Sequence, residues 1–243
     1  MGGQTVETLN YSVLADFYDR LVKDDNATRE WVNYTKKRVH GTSVLELACG
    51  SGEITLALTQ AGYHLTALDL SQEMIDRAKM KEAKNEVDFK QGNMLELDAY
   101  AMYDGIVCYC DSINYLNSTD LITFFREVYA HLNEKGSFLF DMHTEERLLE
   151  FIEPYIEEDW IDETAYQWAI ESDERRIIHH FRFYFKNGSV VSETHIQNVF
   201  ELTEVLHQLE EAGFSVEVTT DFEADRNITG EKYFIWAKKG EIR

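Results

Sequence analysis

Proline occurs once in 243 residues, at Pro154, so no Pro-rich linker interrupts the chain. Cysteine occurs three times, at Cys49, Cys108 and Cys110. That odd number, with one residue between the last two, supplies neither a disulfide framework nor a four-ligand zinc pattern, and a reducing cytosol is the expected setting. Basic residues are scarce, 23 Lys and Arg against 45 Asp and Glu, for a net charge of -22. Nucleic-acid affinity rests on cationic side chains displacing counterions, so a polyanionic partner is disfavoured. The main basic run, Lys36-Lys37-Arg38, reads as a solvated helix face. No apolar run approaches the roughly 18 residues of a bilayer crossing, and the opening MGGQTVETLN shows no charged-then-apolar secretion pattern. A cytoplasmic protein with no membrane partner is therefore expected.

What is present is a globular composition, 44% apolar and 13% aromatic, in a length that suits one large α/β domain or two small ones. Leu9, Val13, Leu14, Phe17, Tyr18 and Leu21 repeat at helical spacing, and a second amphipathic stretch spans 27–39. Short strand-like runs at 43–47, 64–68, 87–90, 105–110 and 137–141 then alternate with helical patterns, which implies a parallel sheet. Residues 141–176 hold thirteen acidic side chains against three Arg and read as a helix and loop. Aromatic and β-branched runs at 164–171, 175–186 and 189–200 predict an antiparallel insert, with Asn187-Gly188 as a hairpin turn. Leu202, Val205, Leu206, Leu209 and Ala212 trace a helix stopped by Gly213, followed by strands at 214–220 and 232–238.

Chemistry concentrates at the ends of the predicted strands, where an open α/β sheet places its ligand crevice. In VLELACGSG, 44–52, a buried strand ends in Glu46 and a turn of small residues, Ala48, Gly50 and Gly52, that exposes backbone N–H groups at a helix start. Asp69 closes the next strand in ALDLS, 17 residues after Gly52, placed to accept from two ribose hydroxyls, and Ser71 is a helix cap. QGNM closes the third strand, where the Asn93 amide oxygen suits an adenine amino group, with Leu70 and Met74 as apolar walls. The fourth, YDGIVCYC, runs into DSINYL and brings Asp111, Ser112, Asn114 and Tyr115 to the mouth of the sheet. Taken singly, each has a structural alternative: a strand-to-helix turn, a capping carboxylate, a turn asparagine, a core methionine.

Taken in order, these motifs resemble a class I S-adenosylmethionine-dependent methyltransferase over essentially the full length. Ala48 stands where that family has its first glycine, and Asn93 where Asp is more usual. The resemblance implies a Rossmann-like, seven-stranded, mostly parallel sheet whose last strand is antiparallel, with helices on both faces and a small antiparallel three-stranded insert after strand five. It implies one domain over 1–243, with 1–40 as a helical cap and 144–201 as a substrate lid. S-adenosylmethionine is the cofactor it implies, held by Tyr11, Tyr18, Glu46, Ala48, Cys49, Gly50, Gly52, Asp69, Leu70, Met74, Gly92, Asn93, Met94, Cys110, Asp111 and Ser112. YSVLADFYD at 11–19 and the insert further resemble small bacterial N-methyltransferases of the glycine and amino-sugar type, in which tyrosines on one helical face turn toward the sulfonium.

Methyl transfer from a sulfonium is a direct displacement, so the protein mainly aligns the reactants. The acceptor expected is a small molecule, an amine first, with His143 as general base and Tyr115 beside the methyl group as the catalytic candidates. Asp111 and Asp141 are candidates to hold a cationic amine. The Pro-Pro-aromatic motif of base-flipping amino-methylases and the Pro-Cys nucleophile of cytosine C5 enzymes are both impossible, because Tyr155 follows the sole proline. Cys108 and Cys110 read as buried strand residues. His179 and His180 point to opposite faces of a strand and form no metal clamp, and no metal is expected. Phe181, Phe183 and Phe185 share one strand face. A nicotinamide-dependent dehydrogenase fits less well, since Thr55 occupies the third glycine position of G-x-G-x-x-G. A non-catalytic S-adenosylmethionine-binding module with a protein partner, and a tRNA or protein methyltransferase, stay as alternatives. Monomer and homodimer are equally open.

Overall fold

The structure is a computed structural model that describes residues 6–8, 14–84, 86–222, 224–225 and 230–240; Tyr11 lies outside them. Strand β1 (Val6–Thr8) and helices α1 (Leu14–Val22) and α2 (Asp25–Arg38) precede an alternating run. It comprises β2 (Ser43–Leu47), α3 (Glu53–Gln60), β3 (His64–Asp69), α4 (Gln72–Lys81), β4 (Asp88–Gln91), β5 (Tyr103–Cys108), a 3-10 turn (Ser112–Tyr115), α5 (Ser118–Ala130) and β6 (Leu132–His143). Helix α6 (Glu145–Glu150) leads into β7 (Tyr155–Ile161), β8 (Thr164–Asp173), β9 (Arg176–Tyr184) and β10 (Val190–Asn198). Helix α7 (Leu202–Ala212), β11 (Phe214–Thr220), β12 (Ala224–Asp225) and β13 (Lys232–Lys239) follow.

The main sheet has the order β12-β11-β13-β6-β5-β2-β3-β4. Strands β4, β3, β2, β5 and β6 are parallel, and β13 enters antiparallel between β6 and β11, as expected for the final strand. The period-2 alternation of side chains decides which helices cover which face. Leu45, Leu47, Phe138 and Phe140 pack with Phe124 and Phe125 of α5 and Leu209 of α7, and the Phe138 and Phe140 rings stack at 4.7 Å. Val44, Val107, Leu139 and Phe234 face the other way, against Trp31 and Tyr34 of α2. There Trp31 stacks on Tyr109 at 4.3 Å, and Thr35 Oγ1 and the Tyr109 hydroxyl share a hydrogen bond of 2.6 Å. Each buried ring removes about 150–250 Å² from water, so these two aromatic layers hold the sheet between its helices.

The insert after β6 is larger than expected. Four antiparallel strands, β7 to β10, replace the anticipated three, and β1 adds to β10 in parallel, giving the order β1-β10-β9-β8-β7. The additional strand β7 comes from the acidic stretch read as helix and loop, of which only α6 is helical. It is an edge strand paired to β8 alone, so Glu158, Asp159 and Trp160 stay in water and the run lacks the apolar alternation that marks a strand. Helix α1 joins the two sheets. Its Leu14, Phe17 and Leu21 pack on Phe181 and Phe183 of β9, with the Phe17 and Phe183 rings stacked at 4.8 Å, and the Leu14 N–H donates to buried Glu193 of β10 at 3.0 Å. Its opposite face pairs Asp16 with Arg77 and Asp19 with Lys81, both on α4.

Candidate active site

The alternation in β2 that sends Leu45 and Leu47 to the α5 face turns Glu46 toward α3, where it is 3% exposed and Oε2 has no hydrogen-bond partner among the described residues. Burial disfavours its charged form and, with nearby Asp69 adding to the effect, lifts the carboxyl to about 8. The turn after β2 runs through positive φ at Ala48 (55°), Gly50 (54°) and Gly52 (82°). Two of these have different physical reasons. A Cβ at Gly50 would meet nothing within 4 Å among the described residues. A Cβ at Gly52 would lie 2.9 Å from the Ala78 Cβ, so Gly52 lets α3 approach α4 and lines no cleft. Cys49 is buried, and burial raises its thiol well above the usual value.

Asp69, at the end of β3, accepts from the Gly50 N–H at 2.8 Å and the Ser71 N–H at 2.9 Å. Burial raises its carboxyl despite those bonds. The Gly92 N–H donates to the Asp69 carbonyl at 2.9 Å, which keeps the ends of β3 and β4 together. Asn93 spans its own turn, accepting from the Leu95 N–H at 3.1 Å. Leu70 is 70% exposed at the strand mouth, whereas Met74 is 2% exposed. Met74 therefore belongs to the packed underside of α4 and is no pocket wall, and Met94 is partly buried against the main core.

A cavity of about 120 Å³ opens beside the turn, lined by Tyr18, Glu46, Ala48, Gly50, Tyr109 and Ser112. Ligand pockets are commonly about 300–1,000 Å³, and α1 contributes Tyr18, Asp19 and Val22 to the lining of this one. It lies across the opening, its Asp19 accepting from the Ser51 hydroxyl and pairing with Lys81. Tyr18 on α1 is surrounded by Cys110, Tyr115, Asp111 and Asp69, and burial raises its phenol well above 10.

Next to this cavity lies a second polar group. Strand β5 stops at Cys108, and Cys110 and Asp111 follow in left-handed conformations, φ 56° and 52°. Cys110 is thus an exposed turn residue, correcting the expectation of a buried strand thiol; Cys108 is buried. Asp111 and Asp141 do not await a cationic amine, because Lys232 of β13 occupies that role: its Nζ pairs with Asp111 and lies 3.1 Å from Asp141 Oδ2. The Asp111 N–H closes the arrangement by donating to Asp141 Oδ2 at 2.9 Å. Burial opposes ionisation of Asp111, but Lys232 and then His143 outweigh it and hold the carboxyl well below the usual range. For Asp141 burial prevails and the carboxyl is raised.

His143 ends β6 and is 4% exposed. Its backbone N–H donates to Asn114 Oδ1 at 3.2 Å, while Nε2 lies 3.0 Å from Gln197 Oε1 and 3.5 Å from Asp111 Oδ2. Nδ1 is buried without a hydrogen-bond partner among the described residues. Gln197 Nε2 donates to Asp111, and Gln197 Oε1 also meets His179 Nε2 at 3.2 Å. His179 Nδ1 accepts from Trp168 Nε1 at 3.2 Å, and burial lowers this imidazole to about 4. Tyr115 is 38% exposed and stands edge-on to His195 at 6.2 Å between ring centres. His180 faces away from His179 and is exposed, and among the described residues no cluster of His, Cys, Asp and Glu is arranged to hold a metal.

The strand-end motifs therefore gather Glu46, Gly50, Asp69, Asp111, Ser112 and His143 at one edge of the sheet. Lys232 and Gln197 carry no motif signal, and His179 reads in sequence only as no metal ligand, because all three come from β13 and the insert, outside the motif-bearing strand ends.

Known proteins resemble this chain over nearly its whole length. A family model described as a methyltransferase domain matches residues 44–136. "Putative methyltransferase YqeM" of Bacillus subtilis (strain 168) is 31% identical over 242 residues, covering 95% of this chain and 98% of the relative. Among solved structures, a S-adenosylmethionine-dependent methyltransferase from Clostridium acetobutylicum ATCC 824 superposes with a TM-score of 0.81 at 23% identity, covering 95% of this chain and 99% of the other. The sugar N-methyltransferase KedS8 from Streptoalloteichus sp ATCC 53650 does so at 0.80 and 21% identity, covering 99% and 98%.

Proposed function

Because the chain belongs to the class I S-adenosylmethionine-dependent methyltransferases, we propose that it moves a methyl group to a small-molecule amine. In this reading α1 and the insert of β7–β10 form the lid over the acceptor. The residues present fit the cofactor. The backbone at Gly50, where a Cβ would clear the described residues, and Glu46 Oε2, without a hydrogen-bond partner among them, suit its aminoacyl end, and Asp69 at the end of β3 suits the ribose hydroxyls, with Asn93 one strand further for the adenine. Leu70, Gly92 and Met94 border that end, and Tyr18, Ala48, Cys49, Cys110 and Ser112 border the sulfonium end.

S-adenosylmethionine supplies, when bound, a methyl carbon already activated by the sulfonium, so no covalent enzyme intermediate is needed. The chain's work is alignment and exclusion of water, together able to supply on the order of 7–11 kcal/mol. As the nitrogen–carbon bond forms and the carbon–sulfur bond breaks, a proton must leave the acceptor nitrogen. His143 Nδ1 takes it. A positioned base of this kind adds roughly 10²–10⁴-fold, while Tyr115, half-exposed at the mouth, orients the acceptor.

The observation that carries this reading is the buried Nδ1 of His143, without a hydrogen-bond partner among the described residues, at the strand edge that also holds Glu46 and Asp69. It also favours a small acceptor over a polymer, since the nitrogen is enclosed and the chain carries -22. A panel of small amines, scored by S-adenosylhomocysteine release, should give turnover that falls at least a hundredfold in His143→Ala and several-fold in Tyr115→Phe. Unchanged rates in either variant would remove that residue from the chemistry.

A further inference from the structure

A side-chain amide can donate from one end only, and Asp111 makes that choice for Gln197. Held by Lys232, the Asp111 carboxylate is ionised and offers acceptors alone. The end of Gln197 that meets it must be the NH₂ group, which leaves Oε1 to face the two imidazoles. Oε1 lies 3.0 Å from His143 Nε2 and 3.2 Å from His179 Nε2. A carbonyl oxygen donates nothing, so both Nε2 atoms must carry hydrogen. Trp168 Nε1–H satisfies His179 Nδ1 at 3.2 Å, while His143 Nδ1 is buried with no hydrogen-bond partner among the described residues.

We propose that Gln197, on insert strand β10, is a positioning residue that holds His143 in the Nε2–H tautomer and leaves Nδ1 as its basic nitrogen. The catalytic consequence rests on the proposed role of His143; the tautomer does not. Gln197 thereby bridges that ring and Asp111, whose Oδ2 is itself only 3.5 Å from His143 Nε2. The charged and titratable groups around the ring are Asp111, with Lys232 of β13 and Asp141 of β6 behind it, and His179 of β9, with His195 paired across from it on β10.

The test uses the full chain labelled with ¹⁵N-histidine, eight residues in all, and long-range ¹H–¹⁵N correlation, with His143 assigned by its loss in His143→Gln. Hydrogen on Nε2 and none on Nδ1 in the neutral ring is expected; hydrogen on Nδ1 overturns the proposal. Gln197→Glu keeps an acceptor for both rings but cannot donate to Asp111 and adds an anion. It should move the acidic limb of the kcat/KM profile up by at least one pH unit, with the KM for S-adenosylmethionine changed less than twofold. Gln197→Leu should lower kcat at least tenfold without that shift in the limb. Activity that falls only in step with Tm in both variants, with the limb unmoved, would make Gln197 merely structural and overturn the positioning role. Full activity of His143→Ala would sink the base assignment and Gln197's catalytic purpose with it, even where the spectrum shows Nε2–H.

Discussion

Glu46 offers a quantitative test, because its environment sets a proton cost on binding. Its carboxyl titrates at about 8 in the free protein, chiefly through burial, so near neutrality it is mostly uncharged. A ligand whose α-ammonium pairs with Glu46 must first ionise it. At pH 7 the neutral form exceeds the ionised form by about tenfold, and at pH 6 by about a hundredfold. Affinity for S-adenosylhomocysteine should therefore rise nearly tenfold from pH 6 to pH 7. It should level off near pH 8, where the ligand's own α-amino group, with an ordinary value of roughly 7.7–8.0, begins to lose its proton. Binding at pH 6 should release about one proton per site. Isothermal calorimetry in two buffers of different ionisation heat measures that number directly. Glu46→Gln should bind with no proton release and little pH dependence. The free protein should show the matching stability trend: a carboxyl raised above its unfolded value favours the fold while neutral, so stability declines as pH climbs from the ordinary glutamate range through about 8, and less so in the variant. Proton release near zero with flat wild-type affinity between pH 6 and 7 would refute the reasoning.

Lys232→Met should destabilise by about 3 kcal/mol in chemical denaturation, because it leaves Asp111 and Asp141 facing one another without their cation. Asp111, held low by Lys232, contributes stability above the ordinary aspartate range that is lost as pH falls through its depressed value, so the variant should show a weaker acid dependence. Phe140→Ala should cost about 3–5 kcal/mol by the same measurement, since the ring is fully buried and stacked on Phe138. Gly50→Ala and Gly52→Ala should separate binding from folding. The first places a methyl clear of the described residues at a φ that Ala48 already adopts, and should weaken cofactor binding at least tenfold with a small Tm change. The second drives a Cβ into Ala78 and should lower Tm most.

The strand ends were legible because each carries its own local signal. Strand-like runs end beside Glu46, Asp69 and Asn93, and small residues permit the turn at 48–52. What stayed hidden depends on pairing across long stretches of chain. Lys232 reads in sequence as the first residue of a C-terminal strand, and only the antiparallel register with β6, which sets it opposite His143, brings it to Asp111 and Asp141. Gln197 is one polar residue in an alternating strand, and its importance arises from β10 passing over the end of β6. Strand β7 escaped notice because an edge strand need not alternate, and five of its seven residues beside Ile161 and Glu157 are exposed. Single positions show the same limit: motif membership placed Met74 near the cleft but helix packing buries it, and Cys110, read as a buried strand thiol, is exposed in a left-handed turn that lines the cavity.

The most direct test is a crystal structure with S-adenosylhomocysteine bound. It should place the ribose hydroxyls on the Asp69 carboxylate, the adenine beside Asn93 and the α-ammonium on Glu46 beneath Tyr18, with α1 lifted enough to enlarge the 120 Å³ cavity. A ligand seated elsewhere, or one at this edge that leaves Asp69 and Glu46 without a contact, would contradict the account.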